Sequence, residues 1–313
     1  MARPLVLLTL ALLLASGLYL LAGLGPRWQF VLTLRATRLA GLVLVGVAVA
    51  VATVLFQTVA RNRILTPQIM GLDALFVLLQ TALVAGLGPV GFALLSGPAR
   101  FTLETSALVL AALLLFGTLL GRGASDIPRM ILTGIILGVL FRALSGFLAR
   151  VMDPNAFAVV QAESAASFGR IEPALLPVAA AVTLAVVVAA LWLAPRLDVL
   201  ALGRVAAVSL GLRHDEMVLA VLALVAVLVA VATALVGPLA FLGLIVVALA
   251  RPLAGSDRHL PLLVTAMLLG ALVLVAGQTV FERALGQQST LPAVVEFLGG
   301  LVFLGLLLKG RIR

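Results

Sequence analysis

Residues 217–250 read MVLAVLALVAVLVAVATALVGPLAFLGLIVVALA, with no charged side chain and with Gly237-Pro238 past the midpoint. Such a run belongs in a lipid bilayer. As one straight helix rising ~1.5 Å per residue it would measure about 51 Å, well beyond the roughly 30 Å hydrocarbon core. The proline removes a backbone donor and clashes with the preceding turn. The segment is therefore expected to form a full span, a break, and a shorter helix or re-entrant piece. Broken helices inside a bundle usually line a pathway, which points toward transport.

Composition extends this reading to the whole chain: 64% of residues are hydrophobic, 11% are charged and the mean hydropathy is +1.29. These values describe a polytopic membrane protein. The net charge of +9 comes from 21 basic residues spread singly over short loops, without the stripe or cluster that nucleic-acid binding requires. There is no cysteine, and the two histidines, His214 and His259, fall in expected loops. That leaves no disulfide framework and no Cys/His metal centre, so any metal handled here would arrive already chelated. The N-terminal MARPLVLLTLALLLASGLYLLAGLG has the look of a secretory signal, but its apolar run is long enough to span and is read as an uncleaved first helix.

A window of about 19 residues finds ten hydrophobic segments, near 4–24, 36–58, 71–92, 103–120, 128–148, 173–194, 217–236, 238–250, 260–281 and 291–308. The connections are short, the longest being 149–172 and 195–216, so residues 1–313 are expected to form one all-α membrane domain. Ten spans put both ends on one side, and positive charge selects the cytoplasm for them. In that orientation the inner side holds thirteen basic residues: Arg3, Arg61, Arg63, Arg122, Arg129, Arg196, Arg204, Arg213, Arg251, Arg258, Lys309, Arg311 and Arg313. The outer side holds seven: Arg27, Arg35, Arg38, Arg100, Arg150, Arg170 and Arg283. Three of the seven crowd the connection between the first two spans, against the orienting rule, which invites a specific reason.

Four ionisable residues lie within or near spans: Asp73, Glu104, Arg142 and Glu296. Asp73 and Glu104 are near span ends and within reach of an interface. Arg142 and Glu296 are deeper, where charge normally faces the bundle interior or a wet cavity. Glycine and alanine at near-helical spacing, as in Gly41, Gly46 and Ala50, allow close helix approach and read as packing. Segment 200–216 lacks an apolar run of spanning length but has small residues at Ala201, Gly203, Ala206, Ala207, Ser209 and Gly211. Two readings are open for it: a solvated loop helix, or a short helix whose small face seats in a groove of a partner. A secondary transporter or channel is the alternative class, but it would usually show paired interrupted segments, and only one Gly-Pro break of this sort is evident. No catalytic constellation and no GxxxxGK[ST] nucleotide loop is present, so neither an enzyme nor an ATPase is expected.

The chain resembles a known family through three blocks. LRATRLAGLVLVGVAVAVATVLFQTVARNRILTPQIMGLDALF looks like the signature block of the FecCD-type permeases of ABC importers for iron-siderophores, haem and cobalamin. The matching residues are Arg35, Arg38, Gly46, Gln57, Asn62, Pro67 and Gly71. GPLAFLGLIVVALARPLAGSDRHLP resembles a second block through Gly237, Pro238, Phe241, Gly243, Leu244 and Val246, but has Val247-Ala248 where many members have Pro-His. LGRVAAVSLGL is similar to the cytoplasmic segment that meets the ATPase, through Gly203, Ala207, Leu210 and Gly211.

The resemblance implies a type II ABC importer permease with about ten transmembrane helices in a bacterial inner membrane. Its expected partners are two ATPase subunits, a periplasmic or lipid-anchored substrate-binding protein, and a second permease copy or a paralogue. The expected cargo is a ferric siderophore, with haem or cobalamin as alternatives; the stretch DPNAFAVVQAESAASF resembles a branch associated with catecholate chelates. No cofactor is implied. Arg35 and Arg38, with Arg283, would dock the binding protein, and snorkelling to lipid phosphate is the competing reading. Gly203, Ala207, Leu210 and Gly211 would couple to the ATPase. Gln57, Gly237, Pro238, Phe241 and Gly243 would belong to the translocation path or its gate.

Overall fold

A computed structural model describes residues 2–23, 26–120, 127–284 and 291–308. Its regular elements are all helical: α1 (Ala2–Leu21), α2 (Trp28–Ala60), α3 (Leu72–Leu94), α4 (Gly97–Leu120), α5 (Ile127–Val151), α6 (Pro154–Ser164), α7 (Leu176–Ala201), α8 (Arg204–Ser209), α9 (His214–Val236), α10 (Leu242–Ala254), α11 (His259–Ala284) and α12 (Leu291–Leu308). Eight of these, α1 to α5, α7, α9 and α11, are long and apolar enough to cross a membrane. Adding α10, with 13 residues, and α12, with 18, makes ten segments, in line with the hydropathy reading. Arg122, Lys309, Arg311 and Arg313 of the charge count lie outside the described residues.

The chain is all-α for the reason the opening segment suggested: in lipid every backbone N–H and C=O needs an internal partner, and a helix supplies one locally. The break at Gly237 shows the same requirement at work. Gly237 adopts φ +90°, and a Cβ there would lie 2.7 Å from the Ala166 Cα. The Gly237 N–H still donates to Thr233 O at 2.7 Å, while Pro238 has no N–H to offer the carbonyl of the turn before it. A donor from the 165–171 loop satisfies another carbonyl freed by the break, with Ser167 N–H reaching Val236 O at 2.7 Å. The chain then restarts as α10 and runs back along α2, α11 and α12.

A second break corrects the expectation of a single one. Gly88, followed by Pro89, has φ 70° and ψ 168° inside α3 and interrupts its upper part. The signal was the same Gly-Pro pair, but it lies near a span end, where it reads as the start of a loop.

Helix α2 is the axis of the bundle and packs on α1, α7, α9, α10 and α11. Burying leucine on leucine gains little in lipid, so backbone proximity carries the association. At the α2–α11 crossing, Gly46 sits directly against Gly270: a Cβ on Gly46 would lie 2.5 Å from Gly270 O. Gly71, at φ +83°, brings the turn before α3 onto α5, where its Cβ would lie 2.7 Å from the Gly138 Cα, and Gly134 meets Met70 one turn away. Gly41 and Gly46, expected as packing positions, take that role. The expected loop 149–172 contains α6, capped by Asp153 Oδ1 accepting from the Asn155 N–H at 2.8 Å.

Candidate functional site

The ends of α2, α7, α10 and α11 meet at one end of the bundle. Gln57 is buried near the end of α2; its Nε2 donates to Arg63 O at 2.7 Å, and its Oε1 accepts from Arg251 of α10 at 3.0 Å. Beside it, Asp198 of α7 accepts from the His259 backbone N–H at 2.7 Å and faces His259 Nδ1 at 2.6 Å. His259 Nε2 lies 2.8 Å from the Thr58 hydroxyl, which also faces Val54 O at 2.8 Å. One hydroxyl proton serves one of these acceptors, so the network constrains the imidazole. Gln57 is thus spent on ties within the subunit. His259 and His214, expected in loops, are buried at the first residues of α11 and α9.

On this floor sits α8. Gly203 opens it at φ +94°, where a Cβ would be 3.0 Å from Arg61 Nη1, and Gly211 follows it at φ +84° in open space. Both glycines are demanded by their backbone angles. Ala207 is buried, and its carbonyl accepts from the Leu212 N–H at 2.9 Å. Val205 is 84% exposed and Val208 55%, with Leu202 and Leu210 exposed beside them. The expectation of a small-residue face turned to a partner is corrected for Gly203 and Ala207, which are buried, Gly203 against Arg61, whereas Ala201, Ser209 and Gly211 remain exposed. The outward face is apolar and bulky, rimmed by the pairs Arg204–Asp215 at 3.1 Å and Arg213–Glu216 at 3.0 Å.

The opposite end gathers the outer arginines. Arg35 Nη1 donates to Leu20 O at 3.1 Å and Ala22 O at 2.8 Å; Arg283 Nη2 donates to Leu18 O at 3.3 Å and Ala22 O at 2.8 Å. The Leu20 and Ala22 carbonyls lie at the end of α1, beyond the reach of its own N–H groups, whereas Leu18 O also accepts from the Ala22 N–H at 3.2 Å. Arg38 faces Glu282 at 3.8 Å, and Glu282 also accepts from Gln278 at 2.8 Å. Two of the arginines that opposed the charge rule therefore have a local role: Arg35 fastens α2 to α1 and Arg38 faces α11, while Arg283 fastens α11 to α1. Replacing Arg35 and Arg283 together by alanine should strip two donors from α1 and lower stability by about 2–4 kcal/mol, at ~1–2 per orphaned carbonyl. Melting in detergent would check this, and an unchanged midpoint would mean that water satisfies those carbonyls equally well.

Near Gly237 the same end also holds charges, of which Arg100 and Arg170 entered the sequence reading only through the charge count. Arg100 of α4 donates to Glu104 at 2.8 Å and to Glu163 of α6, and Glu163 also faces Arg170 at 3.3 Å. Glu104 is 1% exposed and accepts from Gln80 of α3 at 2.7 Å, so it lies inside the subunit and not at an interface as expected. A cavity of about 240 Å3 borders these groups and Gly237. Pro238 and Phe241 form the turn of the break, Phe241 lying under Gly299 of α12. A side chain on Gly243 would collide with Thr53, so this glycine lets α10 lie against α2.

Comparison with known proteins converges on one family. The family model described as the FecCD transport family matches residues 5–309. The petrobactin import system permease protein YclO of Bacillus subtilis (strain 168) is 39% identical over 293 residues, which cover 94% of this chain and 93% of that one. The petrobactin import system permease protein FatC of Bacillus anthracis is 28% identical, covering 92% of this chain and 81% of its own. The hemin transport system permease protein HmuU of Yersinia pestis is 31% identical, covering 91% and 84%. A solved inward-facing conformation of a metal-chelate type ABC transporter superposes with a TM-score of 0.84 at 26% identity, covering 98% of this chain and 99% of that one.

Proposed function

We propose a function from one premise: this chain belongs to the FecCD transport family. It is a multi-pass membrane permease of an ABC importer, and its cargo is a ferric siderophore. The observation that carries this reading is the likeness of fold along essentially the whole chain to a metal-chelate type ABC transporter. Petrobactin is the first chelate to test, because two relatives are petrobactin permeases. The chain has no nucleotide loop, so two separate ATPases would bind at the α8 end. A binding protein would deliver the chelate at the other end, and a second permease copy or paralogue would complete the path.

Charge supports an orientation in the inner membrane with both termini cytoplasmic. Arg61, Arg63, Arg196, Arg204, Arg213, Arg251 and Arg258 cluster around the α8 end. ATP-driven closure of the ATPases would push on the exposed apolar face of α8. The buried ties of Gln57 and His259 would pass that motion to α2, α7, α10 and α11.

Of the outer arginines, Arg38 would be the one to meet a carboxylate on a binding protein, since Arg35 and Arg283 both donate to carbonyls of α1, Arg283 doing so from an exposed position. A strain without this gene should lose uptake of radioiron-labelled ferric petrobactin, and the full chain should restore it. Undiminished uptake in the deletion strain would remove petrobactin as cargo. In the same assay Arg38→Glu should cut uptake about tenfold at limiting binding protein, since reversed contacts across an interface cost more than a rim pair contributes. Parental uptake would leave Arg38 as a tie to Glu282 alone.

A further inference from the structure

One face of the subunit carries charge at a depth where lipid tolerates it poorly. Asp73 lies in the first turn of α3, Arg142 in α5 and Glu296 in α12. The close approach of Gly71 to Gly138 sets the start of α3 level with the middle of α5, so Asp73 is beside residues 138–142. The Arg142 guanidinium folds back toward the same place, its Nη2 lying 3.7 Å from where a Cβ on Gly138 would stand. The charges of Arg142 and Glu296 both act on the Asp73 carboxyl.

Arg142 and Glu296 are nevertheless exposed on the subunit surface. Asp73 Oδ1 is shut off from solvent and has no hydrogen-bond partner among the described residues. Nor does any of the three join an ion pair among the described residues. Helix α12 packs on α10 and α11, whereas α5 packs on α3 and α4. Glu296 thus lies within Coulomb range of Asp73 from a helix with a different set of packing neighbours. Unpaired charges exposed within spans, as Arg142 and Glu296 are, do not face hydrocarbon; they face water or a polar passenger.

We propose that Asp73, Arg142 and Glu296 form a charged waist on the wall of the translocation path, which favours chelates bearing ammonium groups over polyanionic ones. This rests on the permease reading above and adds the chemistry of its path. Each subunit contributes two carboxyls against one guanidinium, so carboxyl groups outnumber cations on the wall. A passing ammonium would meet a carboxyl on α3 and another on α12, and a polyanion would meet one cation, Arg142, beside those two carboxyls.

The chain is free of cysteine, so a single introduced thiol reads the local potential without any knowledge of the cargo. Val139, exposed one turn from Arg142, is the position for it, and Leu14, exposed on α1, is the lipid-facing control. Val139→Cys, in the full chain in open membrane fragments, would be treated with trimethylammonioethyl and with sulfonatoethyl methanethiosulfonate. Labelling should occur at Val139→Cys and not at Leu14→Cys. The cationic reagent should be favoured at least tenfold beyond its preference for a free thiol in solution.

Adding Asp73→Asn with Glu296→Gln, or the exposed Glu296→Gln alone should the pair fail to fold, should lower that preference severalfold. A thiol at 139 as unreactive as the one at 14, or a preference untouched by Glu296→Gln, overturns the proposal. Because no cargo is involved, these results stand apart from the uptake assay, whose failure would instead count against the proposed function.

Discussion

Replacing Gly46 by leucine should drive α2 away from α11 and leave little folded protein in the membrane. A Cβ at this position would meet Gly270 O at 2.5 Å and Ala271 N at 2.8 Å, both backbone atoms of a helix that cannot turn aside as a side chain could. Overpacking against movable side chains typically costs about 1–3 kcal/mol. Here α2 also packs on α1, α7, α9 and α10, so retreat from α11 would disturb its contacts with all of them. A loss of more than about 3 kcal/mol is expected, since membrane helices lose their main attraction when close approach is blocked. Thermal melting of the detergent-solubilised chain would measure it. Gly86→Ala is the control, because nothing lies within 4 Å of a Cβ there and the exchange should change stability by about 1 kcal/mol or less. If Gly46→Leu melts with the parent, the α2–α11 crossing does not hold the bundle.

Aspartates at Val205 and Val208 should abolish transport while leaving the permease intact. Both side chains point away from the bundle, at 84% and 55% exposure, so the exchange removes no internal contact. Central apolar anchors of protein interfaces commonly contribute about 2–4 kcal/mol each, and 1.4 kcal/mol is a factor of ten. ATPase affinity should therefore fall at least a hundredfold, with uptake falling in parallel and an unchanged melting temperature. Ser209→Cys on the same helix should react with an impermeant thiol reagent only from the cytoplasmic side. Copurification of the ATPases with the double aspartate variant would move the coupling surface elsewhere. Labelling of position 209 from outside would invert the orientation.

Much of the fold was legible before any coordinates. Lipid acts on each segment separately, demanding internal hydrogen bonds and apolar side chains. Hydropathy, segment length and the Gly237-Pro238 pair therefore report the all-α bundle, its ten segments and the break after α9. The position of α8 was legible for a similarly local reason, as a short interval of small residues between two long apolar runs.

The use made of individual side chains was not legible, because it depends on which helix ends meet. Arg35 and Arg283 are far apart in sequence yet share the Ala22 carbonyl. Asp198 and His259 pair only because α7 and α11 end together. The direction of Ala207 and of Val205 on a helix of six residues follows from how α8 seats on α7 and α9, which no periodicity in so short a stretch encodes. Asp73, Arg142 and Glu296 are individually odd residues in apolar runs, and the common level of Asp73 and Arg142 follows from the backbone contact of Gly71 with Gly138. The sequence by itself determined the solvent, the segments and their breaks, since those are properties of each stretch of chain in lipid. Tertiary structure alone decided the pairing of polar groups and the facing of each helix, since these depend on distances between residues that the chain does not make neighbours.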